Sequence, residues 1–375
     1  MCGLTDPLSA FIFDPSIRVV CGSGCLSELP TILDDLNASR ILLVSDPGVA
    51  AAGITDRVQS SLSDSGREAV LFTDVSENPT SDIIEKGTEA ARSAGSLDAI
   101  VAVGGGSAMD SAKGINFLLT NGGRIQDYYG FGKAESSMLP SVGIPTTAGT
   151  GSEAQSYALI SDAETHVKMV CGDRKARFHT VLLDPDLIGS APQSVKAAAG
   201  YDAVAHAVES YVCTKANPVS QMYAREAFTL LERGLEPFVC DGKENTAGDT
   251  LLGAHLAGAA IEASMLGGAH ACANPLTTAY GTVHGVAVSV MLPAVVDLNL
   301  NSHRDRYVGL YDGDLLTRLR DLRSRLGLPG SLRDLGVDAG AVGDLAKAAA
   351  EQWTGTFNPT PIDVDVCRSL YEASL

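Results

Sequence analysis

The sequence predicts a chain in two parts, an α/β half built on a parallel sheet and a second half built of helices. In the first part, short apolar runs alternate with helical stretches, which is typical of parallel strands joined by right-handed crossovers. Further along, the β-rich runs stop and alanine-rich helical patterns take over. The composition changes near residue 190, so we divide the chain into domains 1–190 and 191–375.

The elements of the first half can be placed in order. Residues 10–13 and 17–21 are short β-rich runs, which we interpret as an N-terminal hairpin. The run at 40–46 is continuously apolar until its polar end, as expected of a parallel strand buried on both faces. The rest of this half is predicted as helices at 53–66 and 81–94 and strands at 69–74, 99–103 and 142–144.

In the second half, helical patterns cover 201–216, 218–234 and 250–266, and more follow from residue 283 to the end. The chain carries a formal charge of −18, which disfavours nucleic acid as a partner because a phosphate backbone binds basic surfaces. Neither a basic-then-apolar leader nor an uninterrupted membrane-spanning run is visible in the sequence. Eight scattered cysteines do not form a disulfide framework, so we expect a soluble, cytoplasmic protein.

Two polar loops follow strands, at the edge where parallel sheets bind ligands. The segment 104–114 begins with three glycines and opens a helix, so its free N–H groups could face an anion. The segment 145–153 holds four hydroxyls and two glycines. Each loop alone could be an ordinary turn, but the pair favours nucleotide binding. Asp46, at the end of the 40–46 strand, could accept from a ribose hydroxyl, which favours NAD over NADP.

Asp202 and His206 are four residues apart, which places a carboxylate and an imidazole on one face of a helix. Alone, this pair is more simply a hydrogen bond on a solvated helix. His270 and His284 occur later, in apolar segments rich in small residues. Burying all four groups without a shared partner would be unfavourable, so the set predicts a site for Fe²⁺ or Zn²⁺. The other histidines are interpreted as structural or exposed: His166, His179, His255 and His303.

Taken together, these motifs resemble the iron-containing (group III) alcohol dehydrogenases over nearly the whole chain. The matching stretches are 104–107 with Asp110 and Lys113, 78–80, 145–153, 200–211, 267–284 and the Asn358-Pro359 segment. The resemblance implies a Rossmann-like dinucleotide-binding domain, an all-helical metal-binding domain and the dehydroquinate synthase-like architecture that combines them. It also implies an active site in the cleft between the domains, and a homodimer.

The same resemblance assigns roles to individual residues. The metal would be held by Asp202, His206, His270 and His284. The dinucleotide site would be lined by Asp46, Asn78, Gly105, Gly106, Ser107, Asp110, Thr146, Thr147, Thr150, Ser152, Lys168 and Leu187.

The chain departs from the family pattern at three positions. Asn274 stands where a second histidine usually follows the third ligand, and an amide cannot serve as an acid or base near neutral pH. Ile261 replaces a frequent phenylalanine and would widen or reshape the substrate pocket. Val283 replaces a frequent proline before the fourth ligand.

The predicted activity is the NAD(H)-linked interconversion of a primary alcohol and its aldehyde. The metal would act as a Lewis acid, and hydride would pass between the substrate carbon and nicotinamide C4. Three alternatives share the architecture: a zinc polyol (glycerol-type) dehydrogenase, a dehydroquinate synthase-like lyase, and a catalytically degenerate nucleotide- or metal-binding protein. The ligand helices carry no obvious basic cluster for a lyase substrate, and the complete ligand set argues against degeneration.

Overall fold

A six-stranded sheet forms the centre of the N-terminal half in this computed structural model, which describes residues 11–375. Its strands are β1 (Arg18–Cys21), β2 (Arg40–Val44), β3 (Glu68–Phe72), β4 (Ala99–Gly104), β6 (Ser141–Pro145) and β9 (Thr180–Leu183). All neighbouring strands are parallel, in the order β1-β9-β6-β4-β2-β3. The strands β4 and β6 are buried throughout, as two-sided covering by helices requires.

Helices cover this sheet between the strands. They are α1 (Leu29–Asp35), α2 (Pro47–Ala51), α3 (Ile54–Asp64), α4 (Ser81–Ser93) and α5 (Gly106–Asn121). In the sheet, β3 lies on one side of β2, and the chain then crosses over so that β4 lies on the other side of β2. This reversal creates a crevice at the carboxyl ends of β2 and β4, the usual ligand position in doubly wound sheets.

A second, three-stranded sheet packs beside α5. It consists of β5 (Gly130–Phe131), β7 (Tyr157–Ser161) and β8 (Lys168–Gly172). The strand β8 pairs in parallel with β5 and antiparallel with β7. The sequence analysis did not predict this sheet, nor β9.

The predicted N-terminal hairpin is wrong over the residues that can be compared. Residues 11–17 form no strand, and residue 10 lies outside the described part of the chain. The strand β1 pairs in parallel with β9, with Arg18 opposite Thr180. The short β-rich run therefore closes one edge of the main sheet, and its pairing partner comes from much later in the chain.

The C-terminal half is helical. Its helices are α6 (Gln193–Val212), α7 (Pro218–Cys240), α8 (Ala247–Ala263), α9 (Gly268–Tyr280), α10 (His284–His303), α11 (Leu315–Arg325), α12 (Val342–Ala350) and α13 (Val364–Ala373). The helix α6 packs against α7, α8 and α10, so most of its faces are buried.

Among residues 11–375, one segment, His284–Tyr307, is long and apolar enough by composition to cross a membrane. Its most apolar window is 61% buried inside the protein, against neighbouring helices. The segment is accordingly a core helix of the C-terminal half.

Candidate metal and nucleotide site

Three helices of the C-terminal half bring one carboxylate and three imidazoles together. Asp202 and His206 lie on α6, His270 on α9, and His284 is the first residue of α10. The Nε2 atoms of the three histidines lie 3.5, 3.3 and 3.9 Å from Asp202 Oδ1, in that order. The first three residues are buried, whereas the His284 side chain is 28% exposed and faces a cleft.

The donor set fits a divalent cation. Asp202 Oδ1 and His270 Nε2 are buried, and within residues 11–375 neither finds a hydrogen-bond partner. Leaving such atoms unsatisfied is unfavourable, and a shared cation would satisfy both. Metal–ligand bonds of about 2.1 Å in tetrahedral geometry separate the ligand atoms by roughly 3.4 Å, close to the distances between these atoms.

Protonation in this cluster follows its surroundings. Burial opposes charge on His270, but the carboxylates of Glu209 and Asp202 outweigh it and raise the pKa of His270 to about 9. At His284 burial dominates and, with Lys168 nearby, lowers the pKa to about 3 in spite of Asp202. The cluster therefore attracts positive charge, and His284 keeps a neutral ring with a lone pair available for a metal.

Glu209 supports the cluster and was missed in the sequence. Its Oε2 lies 2.5 Å from His270 Nδ1, and its Oε1 accepts from the Ala269 N–H at 2.6 Å. A carboxylate that accepts from Nδ1–H turns Nε2 toward the metal position. Glu209 follows Asp202 and His206 at i+7 and i+3, on the same face of α6, so this spacing could have revealed it.

The two polar loops meet at the carboxyl edge of the main sheet. The glycines of the first loop lie close to the threonines of the second: a Cβ built on Gly106 would lie 2.7 Å from Thr150 Oγ1, and one on Gly105 would lie 3.2 Å from Thr147 Oγ1.

Asp46 caps α2 through Oδ1, which accepts from the Val49 N–H at 2.9 Å. No described residue donates a hydrogen bond to its Oδ2, and the residue Asp46 lines the cleft.

A buried network fixes the second loop to α5. Ser152 Oγ donates to Asp110 Oδ1 at 2.6 Å. Lys113 Nζ donates to the backbone oxygens of Ser152, Gln155 and Tyr157 at 2.7, 2.9 and 2.8 Å. Burial raises the pKa of Asp110 and lowers that of Lys113, and each charge partly offsets the shift of the other. Asp110 and Lys113 of α5 therefore fix the position of the loop through buried hydrogen bonds.

A single cleft of about 2020 Å³ joins the loops to the four-residue cluster. Pockets for one drug-sized ligand measure roughly 300–1,000 Å³, so this cleft has room for a dinucleotide and a small substrate. One predicted residue, Leu187, does not border the cleft, because it is buried in the apolar core. The predicted residues that line it are Asp46, Asn78, Gly105, Gly106, Ser107, Asp110, Thr146, Thr147, Thr150, Ser152, Lys168, Asp202, His206, Ile261, His270, Asn274 and His284.

The C-terminal segment 351–354 also lines the cleft, and the sequence analysis did not anticipate it. Gln352 Oε1 accepts a hydrogen bond from Asn274 Nδ2 at 3.0 Å. Trp353, the only tryptophan in the sequence, is 39% exposed. No local motif marks these residues, because only tertiary packing brings the segment to α9.

The helix α8 connects the helical half to the second loop. His255 Nδ1 lies 3.1 Å from Glu153 Oε1, and both side chains are buried. Glu262 Oε2 accepts from the N–H and hydroxyl of Ser156, and its Oε1 accepts from Arg177 Nη2 at 2.9 Å. His255 and His166 were both predicted to be structural or exposed, and the buried His255 pair and the exposed His166 agree with that prediction. His166 also borders the cleft.

Comparisons with known proteins cover both halves. A family model described as iron-containing alcohol dehydrogenase matches residues 15–185, and the C-terminal model of the Fe-containing alcohol dehydrogenase family matches residues 196–375. Alcohol dehydrogenase 4 of Schizosaccharomyces pombe is 34% identical, over 98% of this chain and 90% of that protein. The NAD-dependent methanol dehydrogenase of Bacillus methanolicus is 31% identical, over 92% and 95% of the two chains.

Solved structures show the same architecture. A crystal structure of 1,3-propanediol oxidoreductase has a TM-score of 0.92 at 28% identity and covers 98% of this chain and 100% of that one. The alcohol dehydrogenase of Oenococcus oeni has a TM-score of 0.93 at 26% identity, with the same coverage. The predicted α/β-plus-helical fold is confirmed.

Proposed function

This chain belongs to the iron-containing alcohol dehydrogenase family and is an NAD-linked alcohol oxidoreductase, and from this premise we propose that it interconverts a primary alcohol and its aldehyde. One observation carries the proposal. Three imidazole Nε2 atoms converge on a buried carboxylate oxygen, in the same cleft that the two nucleotide loops border. In this arrangement a bound metal and a bound nicotinamide ring would both be within reach of one substrate.

The cluster would hold one divalent metal, Fe²⁺ by family and Zn²⁺ as the alternative with the same donors. Its four ligands would be Asp202, His206, His270 and His284. When bound, the metal polarises the substrate oxygen as a Lewis acid. Glu209 keeps His270 oriented, and α8 holds the loop 145–153 against the helical half.

The loops would hold NAD(H). The N-terminus of α5, at Gly106 and Ser107, borders the cleft, and its free backbone N–H groups would suit a pyrophosphate. Asp46 Oδ2 suits a ribose hydroxyl and would repel a 2′-phosphate, which favours NAD over NADP. Thr147 and Thr150 contribute hydroxyls on the facing side of the same crevice.

Metal analysis combined with an activity screen tests this proposal. Purified protein is expected to hold close to one equivalent of Fe or Zn and to form NADH with at least one short primary alcohol. Asp202→Asn is expected to lose both, while Asp344→Asn, at an exposed carboxylate on α12, keeps both. Absence of stoichiometric metal together with no turnover across an alcohol and aldehyde panel would contradict the proposal.

We further propose that 1–190 and 191–375 are the two domains, and that the protein is a cytoplasmic homodimer. The edge strand β1 and the segment before it expose Phe11, Ile12, Phe13 and Val19, and Ile12 is 77% exposed. An unpaired edge with apolar side chains is suited to burial against a second copy. The cysteines among the described residues are all free, as expected in a reducing compartment. Light scattering of the wild type and of Val19→Lys tests the dimer, because the charged edge is expected to shift it toward monomer.

A further inference from the structure

The helix α9, which carries His270, begins without a capping side chain of its own. Its N-cap residue is Gly267, and its first intrahelical hydrogen bond runs from the Ala271 N–H to the Gly267 oxygen at 3.2 Å. The helix therefore leaves the N–H groups of Gly268 and Ala269 without an intrahelical partner, although both residues are buried. Buried N–H groups need acceptors, so other parts of the chain must supply them.

Two side chains from distant parts of the chain supply these acceptors. Asn358 Oδ1 accepts from the Gly268 N–H at 3.2 Å. Glu209 Oε1 accepts from the next N–H, that of Ala269, at 2.6 Å. A glycine at 267 makes room for both, because a Cβ built there would lie 3.0 Å from Glu209 Oε1 and 3.1 Å from Asn358 Oδ1. The start of α9 is thus capped from outside, directly before its candidate metal residue.

A reciprocal pair of buried amides fixes the direction in which Asn358 points. Asn358 Nδ2 donates to Asn299 Oδ1 at 2.9 Å, and Asn299 Nδ2 donates back to Asn358 Oδ1 at 3.1 Å. Asn358 Nδ2 also donates to the backbone oxygen of Thr360 at 2.7 Å, and a carbonyl oxygen can only accept. The two asparagines are 3% and 1% exposed. Nδ2 is therefore committed to these two acceptors, and Oδ1 faces α9.

The Asn358-Pro359 segment lies away from the position of any ligand. Asn358 is buried and is not one of the residues that line the cleft. The residues just before it pack along α9, where a Cβ built on Gly355 would lie 3.2 Å from Ala271 Cβ. Asn299 lies on α10, which also packs against α9. The amide pair therefore connects the start of α9 to α10 and to the C-terminal segment.

We propose that Asn358 is a positioning residue for the metal site, which acts through the backbone at the start of α9. The inference rests on the proposed function, because it takes His270 as a metal ligand. The His270 ring lies between Glu209, which contacts Nδ1, and the metal position beside Nε2. Without an acceptor for the Gly268 N–H, the first turn of α9 loosens, and a ligand that must first be ordered binds metal more weakly.

Metal affinity in Asn358→Ala tests this inference. Metal-free protein is titrated with Co²⁺ in competition with a chelator, and the visible absorption of the bound Co²⁺ reports the geometry of its ligands. The dissociation constant is expected to rise about five- to tenfold, the effect of losing one helix cap, and the absorption spectrum is expected to change. Asn299→Ala removes the amide that orients Asn358 and is expected to raise the dissociation constant by about threefold.

Asn116→Ala is the matched control, because Asn116 is also a buried asparagine that bonds to backbone. Its Nδ2 donates to the Leu139 oxygen at 2.9 Å, and its Oδ1 accepts from the Leu139 N–H at 3.0 Å. It lies on α5 in the α/β half and does not line the cleft. The melting temperature is expected to fall in both alanine variants, but Asn116→Ala should bind Co²⁺ with the affinity and spectrum of the wild type.

A dissociation constant for Asn358→Ala within about twofold of that for Asn116→Ala overturns the inference, and a larger difference supports it. If Asn358→Ala does not fold, the same threshold applies to Asn299→Ala. All variants are also assayed for NADH formation. If the wild type binds Co²⁺ but oxidises no alcohol, the proposed function fails while the affinities still decide the role of Asn358. If NADH forms and Asn358→Ala keeps wild-type affinity, only the positioning role fails.

Discussion

At the scale of single residues, Glu209 offers a selective test of the metal cluster because it contacts His270 without facing the cleft. Glu209→Gln keeps the shape but removes the charge that holds Nδ1–H of His270. Metal affinity is expected to fall about 10–100-fold, since losing the partner of a ligating histidine weakens both its orientation and its basicity. Competition with a chelator, followed by metal analysis, measures the change.

The matched control for this substitution is Glu372→Gln, at an exposed position of α13. It is expected to leave metal affinity unchanged. If Glu209→Gln retains wild-type affinity while its melting temperature falls, the glutamate only stabilises the helix packing, and the support we assign to it is wrong.

Asp46 decides the choice of dinucleotide in our interpretation. Replacing it by serine keeps a cap for the Val49 N–H and removes the charge next to the ribose position. The ratio of kcat/KM for NADP to that for NAD is expected to rise at least about tenfold, because the repulsion of a 2′-phosphate disappears. Steady-state kinetics with both dinucleotides measure it. A ratio that stays at its wild-type value would show that other residues of the crevice set the preference.

Some residues of the candidate site could be predicted from the sequence, and others could not. Asp202, His206, His270 and His284 could be selected because their chemistry is unusual in apolar segments, and the structure brings them together. Gln352 could not be selected, since an amide near the C terminus carries no local signal of its tertiary contact with α9.

At the scale of elements, α8 and the loop 145–153 touch backbone to backbone. A Cβ added to Gly258 would lie 2.6 Å from the backbone oxygen of Gly151, which cannot give way as a side chain could. Gly258→Ala is therefore expected to destabilise the protein by about 1–3 kcal/mol and to raise the KM for NAD, because the loop must move. Thermal unfolding and NAD kinetics test both effects.

The same helix supplies the control. A Cβ on Gly248 would meet its nearest neighbour, Pro185 Cγ, at an ordinary contact distance of 3.6 Å. Gly248→Ala should be neutral or should stabilise by up to about 1 kcal/mol through helix propensity. If both variants have the same stability and the same KM for NAD, the close approach of α8 to the loop does not affect either quantity.

Elements with strong periodicity were predictable, and those defined by distant pairing were not. The buried strands β2 and β4 and the helix α4 lie within a few residues of their predicted positions. Within the run at 17–21, Arg18–Cys21 form the strand β1, but its partner β9 lies some 160 residues later, so the local pattern suggested a hairpin instead. The sheet formed by β5, β7 and β8 is short and partly polar, and its strands therefore lack the continuous apolar signal of the main sheet.

At the scale of the whole molecule, the halves were foreseeable from the change in composition, but the contacts that join them were not. Arg177 and Ser156 belong to the α/β half and Glu262 to α8, and nothing in their local sequence links them. The candidate site depends on those contacts, since residues of the two polar loops and of the four-residue cluster line one cleft.

Glu262 therefore tests whether the two halves behave as one cooperative unit. Its side chain is 18% exposed and that of Arg177 is 11% exposed, so water screens this ion pair only weakly. Glu262→Gln removes one of two carboxylates that contact the mostly buried guanidinium, because Asp14 Oδ2 remains 3.1 Å from Arg177 Nη1. We expect the free energy of unfolding to fall by about 1–3 kcal/mol. The loss falls on the contact between the halves, so unfolding is expected to split into two transitions when Trp353 fluorescence and far-ultraviolet circular dichroism are followed together. The control is Asp249→Asn, which breaks the ion pair with Arg233 inside the helical half. The Arg233 side chain is 63% exposed, so solvent screens this pair and the free energy of unfolding should stay close to the wild-type value. A single unshifted transition in Glu262→Gln would mean that the halves are held together by apolar packing and the paired Glu153 and His255, with the Arg177 ion pair contributing little.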